Sequence, residues 1–153
     1  MGCDIHIEVL LKRDAEVWRV APPPLWVKSD YPAPFTAISY SWPEERDYVV
    51  FGKLADGVRG YSGDIPPRGV PDWVETNSDG DYVAEGEIPG PYDTDMIRLD
   101  LGNHTFSWLS MEEYFSIRWD PEEWPLIHLS PLLSRLCEIF GKENLFLVFG
   151  FDS

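Results

Sequence analysis

The two ends of the chain have hydrophobic patterns that are typical of β-strands. Residues 3–11 alternate between apolar and polar side chains with a period of two, which predicts a strand with one buried face. Residues 17–20 are predicted to return beside it as the second strand of a hairpin. Residues 145–151 are almost continuously apolar, which is typical of a strand buried on both faces. The polar face of the first strand carries Asp4, His6 and Glu8.

Three other stretches have the spacing of short helices. Apolar side chains recur at helical intervals within residues 44–56. Residues 110–113 match a capping box, which predicts that a second helix begins there. The third helix is predicted to have Ser130 as its N-cap, Pro131 in its first turn and Gly141 at its C-terminal end.

The rest of the chain contains many of its 14 Pro and 12 Gly residues. A Pro-rich stretch at 22–34 is predicted to interrupt regular structure, and residues 57–95 to form a long irregular region with a tight turn at 79–80. We therefore expect one α+β domain over residues 1–153. It would contain a small, mainly antiparallel sheet that includes the N- and C-terminal strands, two to three short helices, and long Pro- and Gly-rich loops.

The charge balance adds a strongly acidic surface. The chain has 12 Lys and Arg against 27 Asp and Glu, a formal net charge of −15. Such a surface repels a phosphate backbone, so we do not expect direct nucleic-acid binding. Three interpretations stay open: a solubilising surface, cation binding by clustered carboxylates, and imitation of nucleic acid towards a basic partner.

Cysteine content and hydropathy indicate the compartment. Cys3 and Cys137 form no CxxC motif, which predicts a reducing environment. The chain has no apolar run of the roughly 20 residues that a membrane span needs and no signal-peptide pattern at its start. We expect a cytoplasmic protein that does not engage a membrane.

The strongest candidate for chemistry is the polar face of the first strand. Asp4 and His6 would lie about 7 Å apart there, and a carboxylate beside an imidazole suits a metal ion or acid–base catalysis. His104 precedes the second helix, and Asp152 ends the last strand. We predict Asp4, His6 and His104 as catalytic residues, and the same three with Asp152 as ligands of a divalent metal such as Zn, Mn or Mg. The simpler interpretation is a set of ordinary hydrogen bonds.

A second candidate set would bind a small-molecule ligand. Arg46 and Arg68 stand out because basic residues are scarce, and prolines stiffen the loop that presents Arg68. A guanidinium held in this way suits a phosphate or carboxylate, although an internal ion pair is the interpretation we favour for Arg68. Tyr48 and Trp108 complete the predicted ligand-binding set as aromatic stacking partners. His128 lies among apolar neighbours and is predicted to be a core or boundary residue.

Five segments carry a resemblance to a known family: residues 1–6 (MGCDIH), 46–51 (RDYVVF), 68–71 (RGVP), 104–109 (HTFSWL) and 149–152 (FGFD). In these segments the chain resembles a family of uncharacterised small proteins of bacteriophages and bacteria that begin with MGCDIH. Asp47 stands where that family usually has Asn. The resemblance implies no established activity. It implies a setting, an accessory protein carried by a phage and acting in the cytoplasm of its bacterial host.

Three functions are open as hypotheses. The first is a metal-assisted hydrolase of a small phosphorylated or nucleotide-like substrate, with Arg68 as an anion clamp. The second is a non-catalytic protein that binds a small ligand, such as a nucleotide signal, in a pocket under the long loop. The third is an acidic inhibitor that mimics nucleic acid and blocks a host protein. The first is slightly favoured, because Asp4 and two histidines lie in segments that carry the resemblance.

Overall fold

The computed structural model describes residues 2–28, 35–89 and 96–153, with only the backbone described over 24–28 and 35–40. The strands formed by these residues are β1 Asp4–Arg13, β2 Glu16–Val20, β3 Pro24–Lys28, β4 Phe35–Tyr40, β5 Glu75–Thr76, β6 Tyr82–Ala84, β7 Gly86–Ile88, β8 Ile97–Arg98, β9 His104–Ser110 and β10 Leu145–Asp152. The α-helices are α1 Tyr48–Leu54, α2 Met111–Ser116 and α3 Ser130–Phe140.

The two terminal strands lie side by side in the middle of a five-stranded sheet. The strand order is β7-β2-β1-β10-β9, and only the β2–β7 pair is parallel. The antiparallel register of β1 and β10 pairs Asp4 with Asp152 and Leu11 with Leu145. Smaller antiparallel sheets are formed by β3 and β4, and by β5, β6 and β8. The expected α+β fold, with the N- and C-terminal strands in its main sheet, is confirmed.

The central sheet has an apolar core on each face. Odd-numbered side chains of β1, such as Ile5 and Ile7, pack with the helices on one face. Leu10 and Val148 belong to a second core on the other face, which also contains Leu101. Successive side chains of a strand point to opposite faces, so Asp4, His6 and Glu8 extend this second face beyond its apolar part. The fold therefore places the polar residues of β1 at one end of the second core.

Two of the three α-helices, α1 and α2, begin at a residue whose side chain caps the first turn. Asp47 caps α1 by accepting hydrogen bonds from two backbone amides, and Ser110 and Glu113 form the predicted capping box of α2. The prediction that Ser130 caps α3 is wrong, because a π-helical turn at Pro125–Leu129 leads directly into that helix.

The Pro-rich stretch contains more regular structure than its sequence predicted. Pro24–Lys28 pairs with Phe35–Tyr40 in an antiparallel hairpin, so the predicted interruption is wrong for that part, while residues 29–34 lie outside the described residues. Within 57–95, the turn predicted at residues 79–80 connects β5 and β6, and Gly80 has a φ of +84° there. Residues 90–95 lie outside the described part.

None of the described helices has the length and hydropathy needed to cross a bilayer.

Candidate functional site

His6 lies between two carboxylates, at the end of the sheet where β1 begins and β10 ends. Its Nε2 donates a hydrogen bond of 2.7 Å to Oδ2 of Asp152, and its Nδ1 lies 3.2 Å from Oδ2 of Asp100. Asp152 is the last residue of β10, whereas Asp100 belongs to the loop before β9. An ionised carboxylate only accepts hydrogen bonds, so His6 can bond to both carboxylates only when each ring nitrogen carries a proton. The arrangement therefore favours the protonated, cationic form of the imidazole.

These surroundings raise the pKa of His6 above its ordinary value. Partial burial alone would lower the pKa, but the hydrogen bond to Asp152 and the negative charges of Asp100 and Asp152 together outweigh it. The side chain of His6 is 24% exposed and that of Asp100 is 76% exposed. The imidazole is therefore partly accessible to solvent, and its partner Asp100 is largely exposed.

Two glycines allow the loop that carries Asp100 to approach the sheet. Gly150 is opposite His6 in the β1–β10 register, and a Cβ atom at Gly150 would overlap the carbonyl oxygen of Leu101. Gly102 has a φ of +71°, and a Cβ atom there would lie 3.0 Å from Cδ2 of His6. A side chain at either position would push the loop away. The contact between Asp100 and His6 therefore depends on both glycines.

Asp4 shares a strand face with His6 but is paired with Arg46. The guanidinium of Arg46 donates to Oδ1 of Asp4 from Nε at 2.9 Å and from Nη2 at 2.6 Å. It lies so close to the backbone of Gly2 that a Cβ atom at that position would overlap it. Both side chains of the pair are about half exposed. The predicted site residues Asp4 and Arg46 are thus neighbours, held together at the surface.

The start of α1 packs on the first residues of the chain. The hydroxyl oxygen of Tyr48 accepts a hydrogen bond of 3.1 Å from the backbone N–H of Cys3. The guanidinium of Arg59 lies 5.3 Å from the centre of the Tyr48 ring. Tyr48, predicted to stack on a ligand, therefore supports the fold with both its hydroxyl and its ring. The segments 1–6 and 46–51, which both carry the family resemblance, meet in space at this point.

Glu44 adds a fourth carboxylate to the same region. Glu44 is exposed, yet desolvation by nearby protein atoms raises the pKa of its carboxyl. The charge of His6 lowers this pKa, and the negative charges of Asp100, Asp4 and Asp152 raise it further. With Asp4, Asp100 and Asp152, this gives four carboxylates in the region of the His6 imidazole and the Arg46 guanidinium. We call this group the His6 cluster, which consists of Asp4, His6, Glu44, Arg46, Asp100 and Asp152.

Glu8 continues the polar face of β1 into the protein. Its side chain is buried and accepts a 2.6 Å hydrogen bond from Nε of Arg19, whose Nη1 lies 3.3 Å from Glu87. Burial raises the pKa of Glu8 to about 7, against the lowering effect of Arg19. Glu8 and Arg19 satisfy each other, so they are a structural pair between the His6 cluster and the apolar part of the second face.

His104 does not join the His6 cluster, so the structure does not bring it together with the other predicted site residues. His104 pairs with Phe151 in the β9–β10 register, and the two rings stack with centres 6.2 Å apart. Its ring nitrogens contact the hydroxyls of Thr105 at 2.8 Å and Ser153 at 3.3 Å. Phe151 and Asp152 point to opposite faces of the sheet, which places the rings of His104 and His6 on opposite faces as well.

The remaining histidine is a surface residue. The side chain of His128 is 49% exposed, and its Nε2 lies 3.4 Å from Glu45. The prediction that His128 is a core or boundary residue is therefore wrong. The apolar neighbours that suggested burial include Ile127, which is itself 52% exposed.

Arg68 forms the internal ion pair that the sequence favoured. Its guanidinium bonds both carboxylate oxygens of Glu113, at 2.8 Å for Nη1 and more closely for Nη2. It also lies 4.8 Å from the centre of the Trp108 ring. The hydrogen bond from Arg68 and those within the Ser110 capping box lower the pKa of Glu113 to about 2, against the effect of burial. Arg68 and Trp108 therefore engage each other and Glu113.

The structure gives no preformed metal site among the residues it describes. Within them, no group of three or more His, Cys, Asp or Glu side chains is arranged to hold a metal ion. In the His6 cluster, the carboxylates of Asp100 and Asp152 face separate ring nitrogens instead of a shared point. Asp152, one of the predicted metal ligands, does contact His6.

Sequence reasoning missed Asp100 and Glu44. The only local signal for Asp100 is its spacing from Gly102, whose N–H lies 3.3 Å from Oδ1 of Asp100 in a turn. Glu44 lies among other acidic and proline residues, and its sequence context carries no comparable signal.

The chain was compared with protein-family models, curated proteins and solved structures, and none of these comparisons found a match.

Proposed function

We propose that the His6 cluster is the catalytic centre of a metal-assisted hydrolase that acts on a small phosphorylated or nucleotide-like substrate. The observation that supports this most directly is the position of His6, with the carboxylate of Asp100 at one ring nitrogen and that of Asp152 at the other. Imidazole and carboxylate groups are the ligands that Zn and Mn prefer, and carboxylates suit Mg.

The excess of negative charge favours the entry of a cation. The His6 cluster contains four carboxylates and only one guanidinium, that of Arg46, and protonation of His6 supplies one further positive charge. A divalent cation that displaces a proton from His6 neutralises more of this charge than the proton does. Asp100 is more exposed than His6 and Asp152, so its carboxylate can turn away from the His6 ring. It can then bind the same cation as His6 and Asp152. His6, Asp100 and Asp152 are the proposed ligands, and Asp4 joins them if Arg46 releases it.

The same charges define how a phosphorylated substrate is held. Carboxylates repel a phosphate, so the substrate binds only together with the cation, which also lowers the pKa of a bound water. Arg46 is half exposed and packed on Gly2, so its planar guanidinium stays close to the site when Asp4 turns away. It can then donate to two phosphate oxygens. Arg46 thus takes the anion-binding role that the sequence had given to Arg68.

Metal binding at controlled pH tests the first half of the proposal. Calorimetric titration with Zn²⁺, Mn²⁺ and Mg²⁺ is expected to show one bound ion per chain for at least one metal. The affinity is expected to rise with pH, because His6 must lose a proton. His6→Gln and Asp152→Asn should abolish binding, whereas His104→Gln and the matched surface variant His128→Gln should keep it. Binding that survives His6→Gln, or no binding to the wild type, would contradict the proposal.

Hydrolysis tests the second half. The metal-loaded protein is expected to release p-nitrophenol from p-nitrophenyl phosphate or from its diester, and chelation should stop the release. Arg46→Gln should raise KM more than it lowers kcat, since Arg46 is proposed to bind the phosphate. Stoichiometric metal without turnover of either compound would leave a metal-binding protein and refute the hydrolase.

The two other hypotheses have less support from the contacts in the fold. The non-catalytic binder was predicted to use Arg46 or Arg68 for a phosphate and Tyr48 and Trp108 for stacking. Arg46 is paired with Asp4, Tyr48 bonds the N–H of Cys3, and Arg68 and Trp108 are occupied by each other and by Glu113. The nucleic-acid mimic is supported by the net charge of −15 alone. The phage setting implied by the resemblance stays a prediction.

A further inference from the structure

A groove lies away from the His6 cluster, between the end of α1, the following loop and α2. It encloses about 750 Å³ and has Ile65 and Ile117 in its walls. Volumes of roughly 300–1,000 Å³ are usual for small-molecule sites. The groove is therefore large enough for a small ligand, and none of its lining residues belongs to the His6 cluster.

Backbone hydrogen bonds hold the loop side of the groove in place. The N–H of Asp56 donates to the carbonyl of Ile65 at 2.7 Å, and Oδ1 of Asp56 accepts from the N–H of Gly63 at 2.9 Å. Gly63 approaches Gly52 of α1 so closely that a Cβ atom would overlap its carbonyl oxygen. This side of the groove is thus formed before any ligand arrives.

The opposite side is fixed by Lys53. Its Nζ donates to the carbonyl oxygen of Arg118 at 3.1 Å and to both carboxylate oxygens of Glu123 at 2.7 and 2.9 Å. Lys53 is therefore occupied. Glu113, which also lines the groove, is occupied by Arg68.

Three charged side chains of the groove have no protein partner. Asp64, Glu112 and Arg118 line it, and their side chains make no hydrogen bond or ion pair within the described part of the chain. Glu112 and Arg118 are six positions apart, four of them along α2. With a rise of 1.5 Å per helical residue and up to about 3.5 Å per extended one, the Cα atoms of these two oppositely charged residues lie at most about 13 Å apart.

We propose that this groove binds a short zwitterionic molecule, with its cationic end at Asp64 and Glu112 and its anionic end at Arg118. The apolar middle of the ligand would lie on Ile65 and Ile117. A tripeptide with free ends separates its two charges by about 10 Å, which falls within this limit. The binding site is independent of the His6 cluster, so it stands whether or not that cluster is catalytic.

Amide chemical shifts test this proposal with trialanine as the probe. At millimolar trialanine, shifts are expected at residues 63–65 and 112–118. N-acetyl-trialanine amide, which has the same length without the charges, should cause none. Asp64→Asn and Arg118→Gln should each weaken binding by about threefold, the size of one exposed ion pair. The matched surface variants Glu122→Gln and Arg135→Gln should bind as the wild type does.

Three results would overturn it. The first is the absence of shifts in the groove at millimolar trialanine. The second is equal shifts with the uncharged analogue, since the charges would then contribute nothing. The third is unchanged affinity in both Asp64→Asn and Arg118→Gln while these variants keep the wild-type spectrum elsewhere.

Discussion

The His6 cluster lies at one end of the two central strands, and the Arg68–Glu113 pair lies beside the edge strand β9. Both are groups of charged side chains, but they differ in the balance of their charges. Arg68 has one carboxylate partner, both oxygens of that partner are bonded, and the Trp108 ring covers the guanidinium. His6 has two carboxylate partners on its own ring, with Asp4 and Glu44 nearby. The Arg68–Glu113 pair is fully bonded, so its contribution to stability is enough to account for it. The His6 cluster has an excess of negative charge, which a bound cation would neutralise.

The two regions also respond to pH in opposite directions. The pKa of His6 is raised, so its contribution to stability is fully present below the ordinary value of 6.5 and is lost as the pH rises through the folded-state value. The pKa of Glu113 is lowered to about 2, so its contribution is present above 4.5 and is lost as the pH falls towards 2. Measurements of stability against pH therefore separate the two regions.

The largest effect is expected from breaking the support of the His6 cluster. Gly150→Ala would force a Cβ atom into the carbonyl oxygen of Leu101. We expect a loss of about 3 kcal/mol in the free energy of unfolding. The displaced loop should also withdraw Asp100, and the pKa of His6 should then fall. Urea denaturation and an NMR titration of His6 measure both.

A matched glycine variant shows whether space or conformation is responsible. Gly60 has a φ of +81° but open space around its Cβ position, so Gly60→Ala should lose only about 1 kcal/mol and leave the His6 titration unchanged. If Gly150→Ala were no more destabilising than Gly60→Ala, the close approach of the loop would not matter.

The next effect comes from breaking the saturated pair. Glu113→Gln removes the ion pair with Arg68 and weakens the capping box. A pKa lowered from 4.5 to about 2 corresponds to roughly 3 kcal/mol, which partial exposure reduces to about 2 kcal/mol at pH 7. The difference from the wild type should shrink as the pH falls below 4.5. Thermal denaturation measures this difference in stability. Glu122→Gln, which changes an exposed surface residue, is the control.

The smallest effect is expected from removing the charge of His6, which tests how the His6 cluster differs from the Arg68–Glu113 pair. His6→Gln should cost about 1 kcal/mol near pH 6, because its carboxylate partners are exposed enough to be screened by solvent. The cost should disappear as the pH rises well above 6.5. His128→Gln, which removes an exposed histidine near Glu45, should show no comparable dependence. A pH-independent cost for His6→Gln would mean that packing, not charge, holds the imidazole in place.

Local patterns in the sequence determined much of the fold. The alternation in residues 3–11 and the apolar run at 145–151 predicted the two central strands, and the capping box predicted the start of α2. Each signal depends on neighbours within a few positions, where side-chain direction and backbone hydrogen bonds are set by geometry alone. Ser130 was misjudged because a π-helical turn, which depends on more distant packing, carries the helix through that position.

The sequence also placed Asp4 and His6 on one face, because the pleat of a strand requires it. Only the tertiary structure decided what they meet. The register of β1 and β10 brought Asp152 to His6, and two glycines far apart in sequence admitted the loop that carries Asp100. The same pleat turned His104 to the opposite face. Contacts between segments depend on the register of paired strands and on the space between their side chains. The spacing of residues along one strand determines neither of these.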